Sequence, residues 1–300
     1  MGHGSYTSAD WSALRKSAGI SHTSTANQIF TSKRMDESFD PRYITLRESR
    51  DSDDHPESTP VIIGLDVTGS MGYLAEEIAK NSLNETMLKL YDLKPVKDPQ
   101  LMFAAIGDVT DSAPLQVTQF ESDIRIAKQL LALWLEGRGG DAPEDYPLLW
   151  YFAAKHTVID SWNKRWKRGY LITIGDADCH KCIAAKDIEH IFGDRDQPAL
   201  MTAAELAKFA SEHYELFHIH LTNMVSPAVP TNLANAIPGR VIPLKKSSVN
   251  LLPELIISLL QVANGMEATA SARQWGSHSA EITEYLQFIQ IHRSGKGFSF

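Results

Sequence analysis

Cysteine is scarce: Cys179 and Cys182 are the only two in 300 residues, too few and too close together for a disulfide framework. A reducing, cytoplasmic setting is the resulting expectation. An excess of basic residues is also missing. The 29 lysines and arginines are outnumbered by 37 acids, and the formal charge of -8 argues against a general nucleic-acid binder, which needs cations to neutralise phosphates. The one basic run, Lys164-Arg165-Trp166-Lys167-Arg168, reads as a solvated loop leading into a strand. No apolar stretch approaches the ~20 residues of a membrane span. The opening Met1-Gly2-His3-Gly4-Ser5-Tyr6 has no apolar signal region, and Tyr6 stands where a myristoylation motif wants Ser or Thr. The expectation is a chain neither exported nor anchored, with no membrane or nucleic-acid partner. A Gly-rich phosphate loop and a Ser-His-Asp hydrolase elbow are missing too.

What is present is a hydrophobic content of 43%, enough to pack one large α/β domain or two small ones. Residues 1–58 are polar with little periodicity and end in the charged run Arg47-Glu48-Ser49-Arg50-Asp51-Ser52-Asp53-Asp54. They read as an irregular arm in which Ile29-Phe30 and Tyr43-Ile44 are isolated apolar anchors. From Pro60 the texture changes. Val61-Ile62-Ile63-Gly64-Leu65 is a continuous apolar run, the mark of a strand buried on both faces, and it ends in Asp66. Leu74, Ile78, Leu83, Met87 and Leu90 then predict a helix over 73–90.

A second strand is expected over 101–106, ending at Gly107-Asp108, with an edge strand over 115–120 paired to it through a turn. A helix over 122–136 stops at Gly137-Arg138-Gly139-Gly140, and another starts at Pro143. Further strands are expected over 170–174, 216–221 and 241–244. A helix starts near Met201, where Thr202 and Glu205 have capping-box spacing, and another covers 251–262. Alternation of this kind implies an α/β fold: a doubly wound, mainly parallel, Rossmann-like sheet with helices on both faces. The domain would occupy 59–263, with an appended helix (Ile282, Tyr285, Leu286, Ile289) and tail over 264–300.

Doubly wound sheets bind ligands at the carboxyl ends of their strands. Three acidic loops fall there: Asp66-Val67-Thr68-Gly69-Ser70, Gly107-Asp108 and Gly175-Asp176-Ala177-Asp178. A fourth, Gly139-Gly140-Asp141-Ala142-Pro143-Glu144, can reach the same edge. Carboxylate and hydroxyl oxygens without histidine or thiolate select a hard cation such as Mg2+. An Asp at a strand end, followed by hydroxyls at +2 and +4, lets one turn aim three oxygens at a point. Two of them are neutral, so the ion's charge is incompletely cancelled and an outside carboxylate can complete its octahedron.

The first loop alone also fits a helix N-cap. Asp108 fits a turn as well as a site, and Asp178 and Glu144 fit solvated loop or cap positions. Cys179-His180-x-Cys182, with His190 and His218-x-His220, raises a zinc reading. It needs an awkward geometry, with the two strand histidines taken to face opposite ways, and reduced cysteines with ordinary histidines are preferred.

Asp66-Val67-Thr68-Gly69-Ser70-Met71 resembles the metal-ion-dependent adhesion site of von Willebrand factor A domains, and the order of later elements extends the resemblance over residues 58–263. The 139–144 string and Leu171-Ile172-Thr173-Ile174-Gly175-Asp176-Ala177 look like the intracellular A domains attached to alpha-kinase-type and related proteins. The resemblance implies Asp66, Thr68 and Ser70 as first-loop ligands and Asp176 as a distal carboxylate acting through water. Asp141 stands where many members have Thr. If it reaches the ion, a third carboxylate tightens metal binding and weakens the pull on a partner's carboxylate.

The implied function is a non-enzymatic, metal-dependent adhesion or assembly module, using Mg2+ (or Mn2+ or Ca2+) to engage an Asp or Glu of a protein partner. By family analogy that partner sits in an assembly with an AAA+-type ATPase. The alternative is a Mg2+-dependent phosphohydrolase of the haloacid dehalogenase type with Asp66 as nucleophile. That reading lacks a lysine at the expected place and leaves the 139–144 loop unexplained. A third reading is a structural protein with a vestigial metal staple.

Overall fold

The computed structural model describes residues 6–21, 23–69, 72–137, 143–224 and 228–291. Its centre is a six-stranded sheet of β1 (Thr59–Asp66), β2 (Pro99–Ile106), β3 (Leu115–Val117), β4 (Gly169–Gly175), β5 (Tyr214–Thr222) and β6 (Val241–Lys245). The spatial order is β6-β5-β4-β1-β2-β3. Every neighbouring pair is parallel except β2 with the edge strand β3. The expected α/β architecture is therefore the one observed. The chain first builds outward on one side of β1 and then returns to build β4 to β6 on the other, so the order reverses between β1 and β4. Their carboxyl ends adjoin at that switch point, where open α/β sheets place their ligands.

Strand residues alternate between two cores because successive side chains point to opposite faces. Val61, Ile63 and Leu65 of β1 pack on one face with Leu83, Met87 and Leu90 of α2 (Leu83–Leu93) and Leu255, Ile256 and Leu259 of α6 (Leu252–Ala263). The helix expected over 73–90 is α1 (Gly72–Glu77) running through a π turn, Ile78–Ser82, into α2. The same face takes Ile126 and Leu130 of α3 (Arg125–Ala132), shorter than the 122–136 expected. On the other face Ile62, Leu171 and Leu216 meet Leu149 and Phe152 of α4 (Tyr146–Lys155) and Leu206 of α5 (Ala203–His213).

The position of α4 sets up the functional edge. Its residues 146 to 153 are all buried, the pattern of a helix enclosed on every side. It lies so close to β1 that a Cβ added at Gly64 would collide with Leu149 Cδ2. The first turn of α4 is thereby fixed beside the end of β1.

The N-terminal segment is more regular than its composition suggests. Ser8–Ser17 forms a ten-residue helix capped by Thr7, and Trp11 from it enters the first core. Ile29, Phe30 and Ile44 are buried while Tyr43 is exposed. Arg47–Ser49 pairs in parallel with Thr157–Ile159 as a separate two-stranded sheet. Two residues of the basic run are also not loop: Lys164 and Arg165 end the helix Asp160–Arg165. Among the described residues no helix is long and apolar enough to cross a membrane.

Candidate metal centre

Asp66 closes β1 with its side chain 1% exposed. Its Oδ1 accepts from the Thr68 amide at 2.9 Å and the Thr68 hydroxyl at 2.6 Å, while Oδ2 accepts from the Tyr146 hydroxyl at 3.1 Å. A hydroxyl that donates its proton keeps its lone pairs, so Thr68 remains able to serve as a neutral oxygen ligand. The partners of Asp66 are neutral donors, which leaves its charge uncompensated. Burial pushes its carboxyl up to about 6, the nearby Asp176 charge adds to the rise, and the hydrogen bonds of Thr68 and Tyr146 oppose it.

The end of β4 presses on the same carboxylate. A Cβ at Gly175 would collide with Tyr146 Oη and lie 2.9 Å from Asp66 Oδ2, so glycine keeps this cradle open. Asp176 follows immediately. Its Oδ2 accepts from Lys246 Nζ at 2.7 Å, and the same ammonium stands 5.5 Å from the centroid of the Tyr73 ring. Of the five expected ligands, Asp66, Thr68 and Asp176 thus lie at the two adjoining strand ends. Ser70 and Asp141 lie outside the described residues.

These residues fit a hard divalent cation: the donors are oxygens, one carboxylate is buried without a counter-charge, and the glycine cradle leaves room against it. Sequence reasoning missed two members of the surroundings. Tyr146 and Lys246 are 80 and 70 residues away from the carboxylates they touch, and no local spacing signals contacts of that range.

The other candidates separate. Asp178 accepts from the backbone N–H groups of Asn232 and Leu233, both at 2.9 Å, and so caps the helix Thr231–Ala236. Glu144 is neither solvated nor a cap. It is 5% exposed, and burial with the charges of Asp66, Asp108, Asp111 and Asp145 pushes it up to about 8. Cys179 is buried and Cys182 exposed, both as free thiols. His218 and His220 do not face opposite ways. Residues two apart on a strand share a face, their ring centroids are 6.1 Å apart, and His218 Nδ1 sits 2.8 Å from Thr173 Oγ1. Asp108 belongs to a different group. Among the described residues, Asp108, Asp145 and His180 bring potential ligand atoms within 4.8 Å of one another.

No protein-family model and no curated protein matches the chain. Among solved structures, proximal thread matrix protein 1 from the mussel byssus aligns with TM-score 0.42 and 14% identity, over 68% of this chain and 48% of its own. The aligned part is thus about half of that protein. A further structure of the mussel protein is described as having a zinc-occupied MIDAS motif, with TM-score 0.42 and 15% identity, over 68% of this chain and 48% of its own. A von Willebrand factor type A protein from Catenulispora acidiphila aligns with TM-score 0.38 and 13% identity, over 68% of this chain and 42% of its own. At such identities and scores the assignment to a doubly wound α/β fold stands on this chain's own strand order and register.

Proposed function

We propose that the chain is a metal-dependent protein-binding module of the von Willebrand factor A type, which engages a partner's Asp or Glu through a divalent cation, Mg2+ or a similar hard ion. Asp66, Thr68 and Ser70 would hold it from the first loop and Asp176 from the end of β4, with Asp141 as a further carboxylate. When bound, the ion supplies an electrophilic position that a partner carboxylate can fill. The observation that carries the reading is the buried, uncompensated Asp66 carboxylate, set against Thr68 and the Gly175 cradle at the switch point of the sheet.

Lys246 has a place in this reading. Its ammonium neutralises Asp176, so it competes with a cation for that carboxylate. A cytoplasmic site of action and an assembly containing an AAA+-type ATPase extend the same proposal.

Calorimetric titration with Mg2+ and Mn2+ tests the metal step: binding by wild type and its loss in Asp66→Ala are expected. An array of acidic peptides, probed with and without chelator, tests the carboxylate step. Signal that survives chelation, or that Ser70→Ala leaves unchanged, overturns the mechanism.

Lys246 also gives the phosphohydrolase reading a foothold, since it places a lysine beside the late acidic loop. Against it, Asp66 is buried and both its oxygens already accept hydrogen bonds, which suits a ligand better than a nucleophile. Turnover of p-nitrophenyl phosphate that Asp66→Asn abolishes would establish that reading, and no turnover by wild type removes it.

A further inference from the structure

We propose that Asp108, Asp145 and His180 form a second divalent-cation site, separate from the Asp66 centre and suited to a borderline transition ion of the zinc class.

Three elements bring these side chains together. Asp108 lies two residues beyond β2, Asp145 directly precedes α4, and His180 lies in the loop after β4. The last two loops are clamped to each other through the backbone: Glu144 N donates to Asp178 O at 2.8 Å and His180 N to Glu144 O at 3.0 Å. Hydrogen bonds then fix how each carboxylate is presented. Asp108 Oδ1 accepts from the amide and the hydroxyl of Thr110, both at 2.8 Å, and this directs Oδ2 toward His180 Nε2 at 3.4 Å. Asp145 Oδ2 accepts from Val109 N at 2.9 Å.

The two carboxylates are 3% and 2% exposed, whereas the His180 side chain is 31% exposed. The exposed part of His180 is not its Nε2, which is itself buried against the carboxylates.

Glu144 is 5% exposed, and its Oε2 is buried without a hydrogen-bond partner. Glu144 directly precedes Asp145 and its carbonyl accepts from His180 N, and the charges that act on its carboxylate are Asp66, Asp108, Asp111 and Asp145. A buried carboxylate oxygen with no donor carries an unrecovered desolvation cost. His180 Nε2, the nitrogen facing Asp108, also makes no hydrogen bond.

A positive charge on His180 would act on both Asp108 and Asp145, but it is one charge against three buried carboxylates. A divalent cation supplies two charges from one point. One imidazole with carboxylates favours zinc-class ions, whereas the all-oxygen donors at Asp66 favour Mg2+. The two sites therefore differ in selectivity as well as in position.

The test is titration of the full chain with Zn2+ and with Co2+, followed by calorimetry and visible absorption. Wild type is expected to bind a Co2+ equivalent whose absorption and uptake are lost in His180→Ala and weakened ~100-fold or more in Asp145→Asn. Asp145→Asn keeps an acceptor for the Val109 amide, so it separates loss of a ligand from loss of the fold. Asp66→Ala is expected to retain this equivalent while losing Mg2+ binding, so failure of the first centre and failure of the second are distinguishable. Zn2+ and Co2+ uptake unchanged in both Asp145→Asn and His180→Ala overturns the proposal. So does loss of the whole of that uptake in Asp66→Ala.

Discussion

Gly175 is the residue on which the candidate centre is most sharply balanced, because the space it leaves is shared by Tyr146 Oη and Asp66 Oδ2. Gly175→Ala should cost about 1–3 kcal/mol through overpacking and weaken Mg2+ binding at the same time; unchanged urea unfolding and unchanged calorimetry would show that the strand end relaxes freely. Lys246→Gln acts in the opposite direction. It removes the ammonium that competes for Asp176, so Mg2+ affinity should rise by roughly tenfold, in line with the ~1.4 kcal/mol of a moderately screened charge contact. Affinity that stays flat would place Asp176 outside the ion's reach. The placement of Asp66, Thr68 and Asp176 at the sheet's carboxyl edge was legible in the sequence because each ends a strand or follows one closely. Asp108-Val109-Thr110 repeats Asp66-Val67-Thr68, and in both the Thr amide and hydroxyl donate to Asp Oδ1. That repeat was available as a signal for the second acidic group, while the packing of Asp145 and His180 against it was not.

At the scale of elements, the apolar runs foretold the strands well because a strand buried on both faces has to be apolar at consecutive positions. The π turn at Ile78–Ser82 left no trace, since one extra residue in a helical turn hardly disturbs the stripe of Leu74, Ile78, Leu83 and Met87. The helix Ser8–Ser17 was equally hidden: it buries one large residue, Trp11, too little to set up a period. The capping box at Thr202 and Glu205 is present as its spacing foretold. Asp178 illustrates how an element can claim a residue that looks chemical. Its carboxylate serves the helix Thr231–Ala236, so Asp178→Ala should cost about 1–2 kcal/mol of stability with Mg2+ affinity unaltered. A large loss of Mg2+ binding with normal stability would instead make Asp178 a ligand.

For the molecule as a whole, the sheet order follows from alternating strands and helices, but the attachment of the N-terminal segment does not, because it depends on sparse long-range contacts. One of these is an ionic network. Asp51 Oδ2 accepts from Arg165 at 2.7 Å and Lys164 at 3.1 Å, Ser58 donates to Asp51 Oδ1 at 2.7 Å, and Arg50 pairs with Asp160 at 2.9 Å. Partial burial alone would raise the Asp51 carboxyl, yet the hydrogen bonds from Arg165, Ser58 and Lys164 outweigh it and hold it well below the usual carboxylate range. A depressed value means that the folded chain binds fewer protons than the unfolded one as pH falls past the ordinary Asp value of about 3.9. The stabilisation is therefore fully present at neutral pH and is lost progressively as the solution is acidified through that value toward the depressed one. Asp51→Asn should cost about 1–2 kcal/mol at pH 7, as expected for removing one partner of a half-buried, hydrogen-bonded pair. The gap between the variant and wild type should narrow as urea unfolding is repeated at successively lower pH below about 4. A gap that stays constant with pH would mean that the segment is held by Trp11 and its apolar neighbours, with the charges contributing nothing.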